Sequence, residues 1–417
     1  MTDRPVPQSG AEGALPKLFT PITLRGVTAR NRVMVSPMCQ YHSANGSPTD
    51  WHMMHLGRLA VGGAGILFGE ETAVEARGRK THECAGLWND AQIPHYARLT
   101  DFIRQQGAVP AIQIGHCGRK AGCHGAVKDW APLTEADAAE GRPPWQGLAP
   151  SPIPYGPGFM APKEMDADDI RDVIDAFGEA ARRAVDAGYD IIDVHGAHGY
   201  LLHQFLSPIT NRRSDGYGGD REGRMRLLLE VTERVRTIWP QDRPVFVRFS
   251  VVDGKGGVWG LEDSLALARA LKERDVDVLD ISSGGIGGET DMPALPRTPG
   301  YHVPFAERLR AATGLPVVAV GMITDPSHAE DILQSERADI IALAREFIWN
   351  ADWAAHAAKT LGVPGANRLM PEEYAHRLDL RDSQQAMSFN RPGPESAAAF
   401  AALLGDAGDD MGADAAR

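Results

Sequence analysis

Eight short apolar runs, each followed by a stretch with helical periodicity, constrain the fold of this chain more than any other feature. The runs are 32–37 (RVMVSP), 64–70 (AGILFGE), 109–115 (VPAIQIG), 189–196 (YDIIDVHG), 244–250 (PVFVRFS), 276–283 (VDVLDISS), 315–321 (LPVVAVG) and 338–344 (ADIIALA). Helical patterns fall near 52–62, 92–107, 167–187, 221–238, 262–273, 303–313, 326–335 and 351–361. In 167–187, Ile170, Val173, Ile174, Phe177, Ala181, Ala184 and Val185 return at helical spacing, with acids in the first turn. Runs so nearly unbroken predict strands buried on both faces, hence a parallel sheet. An open doubly wound sheet competes, but eight evenly spaced units favour closure into a (β/α)8 TIM barrel, an α/β fold in a single domain. The barrel is expected over 17–382, with disordered segments at 1–16 and, acidic in character, at 383–417.

Composition narrows the class. With 43% hydrophobic residues the 417-residue chain can fill such a core. No apolar run approaches the roughly 18 residues of a bilayer span. The N-terminus lacks the charged and apolar regions of a secretion signal. The four cysteines, at 39, 84, 117 and 123, therefore read as free thiols of a reducing, cytoplasmic compartment. A formal charge of −12 speaks against a nucleic-acid partner. The long connections 116–162 and 284–302 follow the third and sixth strands, on the rim where barrel enzymes place their sites.

Polar residues at strand ends are the candidates for chemistry. The first strand delivers Ser36, Pro37, Met38, Cys39 and Tyr41; the third, Gln113 and then His116, Arg119 and Lys120. The fourth delivers His195, His198 and Tyr200, the fifth Arg248, the eighth Arg345. Burying such cations without partners costs several kcal/mol, so a bound anion is expected. Ser282-Ser283-Gly284-Gly285 and Gly321-Met322, with Arg345, suit a phosphate; tight turns and a rim salt bridge to Arg345 are the alternative. His195 and His198, three residues apart, can converge on one oxygen and polarise a carbonyl, with Tyr200 as proton donor. A zinc site is the rival and needs further ligands; a packing role is a third reading. Cys39 suits a core thiol, a nucleophile or a cofactor-tuning contact. His52 and His55 on the first helix, and Cys84, Cys117 and Cys123, read as packing residues.

Longer stretches carry a resemblance. LFTPITLRGVTARNRVMVSPMCQY, AIQIGHCGRKAG, DVHGAHGYLLHQFLSPITNRRSDGYGG with DREGRMR, FVRFS, and AVGMIT followed by ALAREF resemble the old yellow enzyme family of FMN ene-reductases. The likeness runs from about 18 to 380 and is nearest the thermophilic-like class that includes xenobiotic reductases. It implies a bound FMN, NADPH or NADH as reductant, and a small-molecule substrate with an electron-withdrawing group. By this resemblance Ser36, Pro37, Met38 and Cys39 line the flavin, Gln113 and Arg248 hold its pyrimidine end, and Gly284, Gly321, Met322, Ala344 and Arg345 surround its phosphate. His195 and His198 would grip the substrate oxygen, Tyr41 would help bind substrate, and Lys120 would lie near the ribityl or pyrimidine region. Tyr200 would protonate the alkene carbon while the flavin gives hydride. The implied activity is reduction of α,β-unsaturated carbonyls or nitro compounds. An FMN barrel dehydrogenase, demethylase or oxidase with another acceptor is the alternative, and a zinc barrel hydrolase is further off. Three positions depart from the family pattern: Ala344 for a glycine, Cys117 for an alanine, and Glu71 for a small residue beside the flavin. Glu71 is expected either to turn away or to lower the flavin potential. The segment Tyr374–Leu378 resembles one that reaches a neighbouring subunit, implying a homodimer or dimer-based tetramer with Arg377 as the reaching residue.

Overall fold

The structure, a computed structural model, describes residues 14–253, 259–287 and 295–384. Most of both expected terminal segments, 1–13 and 385–417, thus lies outside the described residues. Eight parallel strands close into a barrel. They are β1 (Val33–Val35), β2 (Ile66–Ala73), β3 (Val109–Gly115), β4 (Ile191–Gly196), β5 (Val245–Ser250), β6 (Val278–Ser282), β7 (Val317–Ala319) and β8 (Ile340–Leu343). Each lies on one of the eight apolar runs, with β2 continuing three residues past 64–70, and β8 returns to pair with β1. The open doubly wound sheet is excluded by that closure.

Strand side chains alternate between faces, and the alternation sorts the core into two shells. Met34, Ile66, Phe68, Ala111, Ile191, Phe246, Val278, Val318 and Ile340 pack on one another inside the barrel. Their chain neighbours, among them Val33, Leu67, Ile112, Ile192, Val245, Leu279 and Ile341, pack outward with the helices. The helical patterns are all realised; in Ala167–Asp186 the Asp166 carboxylate caps the start by accepting from the Asp168 and Asp169 N–H groups.

The N-terminal end of the barrel is closed by an antiparallel hairpin, Ile22–Leu24 with Val27–Ala29, that the strand rhythm does not reveal. Ile22, Leu24 and Ala29 plug the inner core. The turn is latched to the barrel: Gly26 N–H donates to the Asp242 carbonyl at 2.8 Å, and Arg25 pairs with Asp275 and Asp277. Short helices at Leu201–Leu206 and Arg345–Trp349 and the longer Glu372–Gln384 complete the chain. No described helix is long and apolar enough to cross a membrane.

Candidate active site

Toward the C-terminal end the inward positions turn polar. On β3 the inward row passes from Ala111 to Gln113, on β4 from Ile191 to Asp193 and His195, on β5 from Phe246 to Arg248, and on β6 from Val278 to Asp280 and Ser282. Gln113 Nε2 donates to Asp193 Oδ2 at 2.7 Å, and Arg248 Nε lies 3.4 Å from Asp280 Oδ2. The set remains short of partners: Asp193 Oδ1, both Asp280 oxygens, Arg248 Nε and His195 Nδ1 are buried without a hydrogen bond. Burial and the facing Asp280 carboxyl push Asp193 well above the usual carboxylate range; burial also raises Asp280, opposed by Arg248.

Glu71 joins this layer through a backbone irregularity. Phe68 pairs with Ala111 but Glu71 with Gln113, so β2 carries one extra residue between them. That bulge inverts the alternation and turns Glu71 inward. Glu70 points away instead, holding His52 Nε2 at 2.9 Å and the Gln40 N–H at 3.0 Å. Glu71 thus does not turn away. Burial raises its carboxyl to about 7, and its Oε1 has no hydrogen bond.

Above the layer is a cavity of about 300 Å³ walled by Pro37, Cys39, Tyr41, Glu71, Gln113, His195, His198, Tyr200 and Arg248, with Ala126 and Trp130 at its side. His195 Nε2 and His198 Nδ1 are 3.3 Å apart, and His198 Nε2 meets Ser282 Oγ at 2.6 Å. Burial and the Arg248 charge push both imidazoles well below their ordinary value, so both are neutral and each offers one N–H. The Tyr200 ring stands edge-on to His195, centroids 5.0 Å apart. His198 and Tyr41 are held at φ 60 and φ 56, in the left-handed region that non-glycine residues seldom adopt. Burial raises the Cys39 thiol to about 12, which opposes a thiolate nucleophile. Ser36 is buried with an unpartnered hydroxyl, while Met38 packs against the outer core rather than facing this cavity.

A second cavity of about 680 Å³ shares His198 and Arg248 with the first, so the two form one strip across the rim. Ser282, Ser283, Gly285, Gly321, Met322, Ala344 and Arg345 line it. Gly321 has φ +119, and a Cβ there would come 3.0 Å from the Tyr301 ring. Only glycine meets both demands. Gly284 spends its N–H on the Val252 carbonyl, so Gly285 supplies the wall in its place. No carboxylate among the described residues pairs with Arg345, which leaves the rim salt bridge unformed there. A flat ring with an anionic tail fits this strip. Gln113 supplies hydrogen-bonding groups in the first cavity and Arg248 where the two meet, and Gly321, Met322 and Arg345 supply a cationic pocket in the second.

Some expected residues lie elsewhere. The Lys120 ammonium donates to the His198 and Gly285 carbonyls, both at 2.7 Å, and so staples two rim loops together. Cys117 donates to the Gly78 carbonyl. Arg377 lies exposed on Glu372–Gln384, beside His356 and Lys359, and lines neither site cavity. No three His, Cys, Asp or Glu side chains among the described residues are grouped to hold a metal. One residue the sequence reading passed over is Lys80, whose buried ammonium lies 2.5 Å from the Tyr200 hydroxyl. It stands seven residues beyond the end of β2, after Arg77 and Arg79, so its position relative to the strand does not single it out.

The chain as a whole is similar to known proteins. Residues 17–363 fit the NADH:flavin oxidoreductase / NADH oxidase family. An NADPH dehydrogenase of Geobacillus sp. (strain WCH70) is 41% identical over 349 residues, 83% of this chain and 95% of the relative. One from Bacillus subtilis (strain 168) is 40% identical over 349 residues, 83% of this chain and 96% of the relative. Among solved structures, morphinone reductase in complex with tetrahydroNAD superposes with a TM-score of 0.68 at 25% identity, covering 84% of this chain and 94% of that one. The old yellow enzyme homologue from Zymomonas mobilis gives 0.67 at 26%, covering 86% and 99%. The chain therefore belongs to the NADH:flavin oxidoreductase / NADH oxidase family. It is an FMN-dependent oxidoreductase of the old yellow enzyme type, with a reduced nicotinamide as electron source.

Proposed function

We propose that this oxidoreductase reduces alkenes activated by a carbonyl or nitro group, with NADPH as its reductant. The observation that carries the reading is the 3.3 Å approach of His195 Nε2 to His198 Nδ1 beside Tyr200. Two neutral imidazoles so placed can both donate to one substrate oxygen and stabilise the charge that develops on it. The chemistry supplied by bound FMN is the carriage of hydride from the nicotinamide to the alkene. Tyr200 gives the proton to the neighbouring carbon, and Tyr41 and Cys39 wall the substrate on the side facing Trp130. Arg248 and Gln113 would hold the pyrimidine end of the ring, where the guanidinium would favour reduction, and Pro37 and Ser36 would line it. Gly321, Met322, Ala344 and Arg345 would hold the phosphate.

The same reading takes the working unit to be a homodimer or a dimer-based tetramer, with Arg377 reaching a neighbouring site. Trp349, 85% exposed, and Tyr374, 54% exposed, give that surface an apolar character.

The test is a visible spectrum taken without oxygen. The yellow protein should bleach with NADPH and regain its colour with 2-cyclohexenone. Bleaching that no enone or nitroalkene reverses would contradict the alkene reading and leave a dehydrogenase, demethylase or oxidase with another acceptor.

A further inference from the structure

Lys80 is 5% exposed and lines neither cavity of the site. Its ammonium donates to the Tyr200 hydroxyl at 2.5 Å, to Cys39 Sγ at 3.2 Å and to the Tyr41 hydroxyl at 3.5 Å. It also stands 5.0 Å from the Tyr200 ring centroid and 5.5 Å from that of Tyr41. No carboxylate hydrogen-bonds it among the described residues. A buried cation without a carboxylate partner is costly, and the cost falls if a neighbour becomes negative. All three of its partners are protic groups that become anions on losing a proton. The shortest of the three contacts is to the hydroxyl assigned above to proton transfer.

We propose that Lys80 is a positioning residue for Tyr200: it aims the hydroxyl, favours its ionisation, and returns the proton that each turnover removes. The inference rests on the alkene-reduction reading for the role of Tyr200. In the step, the Tyr200 O–H bond breaks as its proton joins the substrate carbon. A Lys80 N–H bond breaks as that proton passes to the phenolate oxygen. The neutral amine then regains a proton from solvent, so one proton is consumed per alkene reduced. Burial holds the Tyr200 phenol well above its ordinary value, and the Lys80 charge and hydrogen bond pull it back. The other groups that feel this charge are the Glu71 carboxyl, the Cys84, Cys117 and Cys123 thiols, Lys120 and His195. None of them hydrogen-bonds to Lys80 Nζ.

The first measurement needs no turnover. With a ring-fluorinated tyrosine at position 200, the 19F resonance reports ionisation of that phenol alone. Lys80→Met should move its titration to higher pH by at least a unit or so, and Lys80→Arg should restore most of the shift. The second is the rate at which the reduced enzyme gives up its electrons to an enone. Lys80→Met should slow it by about 10- to 100-fold with a raised solvent isotope effect, and leave reduction by NADPH nearly unchanged. In a Tyr200→Phe background the same substitution should cost less than about twofold more. An unmoved 19F titration overturns the proposal, as does an equal penalty in the two backgrounds. If Tyr200→Phe leaves alkene reduction intact, the assigned role of Tyr200 fails instead, and the 19F titration still decides on Lys80. Should Lys80→Met fail to fold, Lys80→Gln removes the charge with a polar side chain and carries the same expectations.

Discussion

The two ends of the barrel use the same eight strands and the same alternation, yet their inward side chains differ in kind. At the N-terminal end Ile66, Phe68, Ile191, Phe246 and Val278 fill the interior and the hairpin seals it. Two residues further along, Gln113, Asp193, Arg248 and Asp280 occupy the equivalent row with only part of their hydrogen-bonding capacity met. Each fully buried large apolar side chain in the first group contributes roughly 1.5–3 kcal/mol. Each unpartnered polar group in the second costs about 1–3 kcal/mol. One end therefore holds the fold together, and the other leaves polar groups free to meet a ligand. On the proposed reading, the site is the part of the barrel core whose polar groups the protein leaves short of hydrogen bonds.

Substitutions at the two ends should fail in opposite ways. The largest effect is expected from Phe246→Ala, a cavity in the sealed end, at about 3–5 kcal/mol of unfolding free energy. Enone turnover of the FMN-saturated protein that remains folded should be near normal. Denaturant unfolding and single-turnover kinetics on one preparation check this, and a large catalytic loss in the folded protein would show that the sealed end also serves the site. Next, His195→Ala with His198→Ala should lower the enone rate by about 100- to 1,000-fold, with little change in the denaturation midpoint. A midpoint that fell as far as for Phe246→Ala would assign the imidazoles to packing.

Glu71, in the polar row, makes the difference between the two ends depend on pH. Its carboxyl is raised to about 7, against an ordinary value of 4.5. Between those values the folded chain holds a proton that the unfolded chain has lost, so stability falls as pH rises through the window and levels off above it. Glu71→Gln removes that slope in the FMN-free protein. The variant should gain about 3 kcal/mol on the wild type between pH 4.5 and 7. Parallel stability curves for the two proteins would mean that Glu71 is solvated or paired. The smallest effect is expected from Arg377→Ala, which removes a rim charge of about 1 kcal/mol or less. It should raise the KM for the enone by no more than about fivefold and leave unfolding unchanged. Wild-type kinetics together with wild-type assembly would remove Arg377 from the site.

Much of this was legible in the sequence, for reasons local to each strand. The eight runs are apolar enough to be strands buried on both faces, and a single Arg248 or His195 inside such a run has nowhere to point but inward or to the rim. What could not be read depends on partners distant in the chain. Nothing in ILFGEETA announces the bulge that turns Glu71 inward, because it exists only against β3. The engagement of Gly284 N–H by Val252, which makes Gly285 the wall, is likewise a contact between two loops. Leu201–Leu206 and Arg345–Trp349 are too short to show a helical period. The hairpin strands, three residues each, are too short to alternate convincingly. Lys80 lies ten residues past the 64–70 run, and only the fold sets its ammonium against Tyr200 and Cys39.

A crystal structure of the FMN-loaded protein tests the central claim most directly. The ring should lie across the shared strip with its pyrimidine edge within about 3 Å of Gln113 and Arg248. The phosphate should sit between Gly321 and Arg345. A flavin bound elsewhere, or a bound flavin that left Arg248 Nε still without a hydrogen bond, would contradict the view that the unfinished end of the barrel core is the cofactor site.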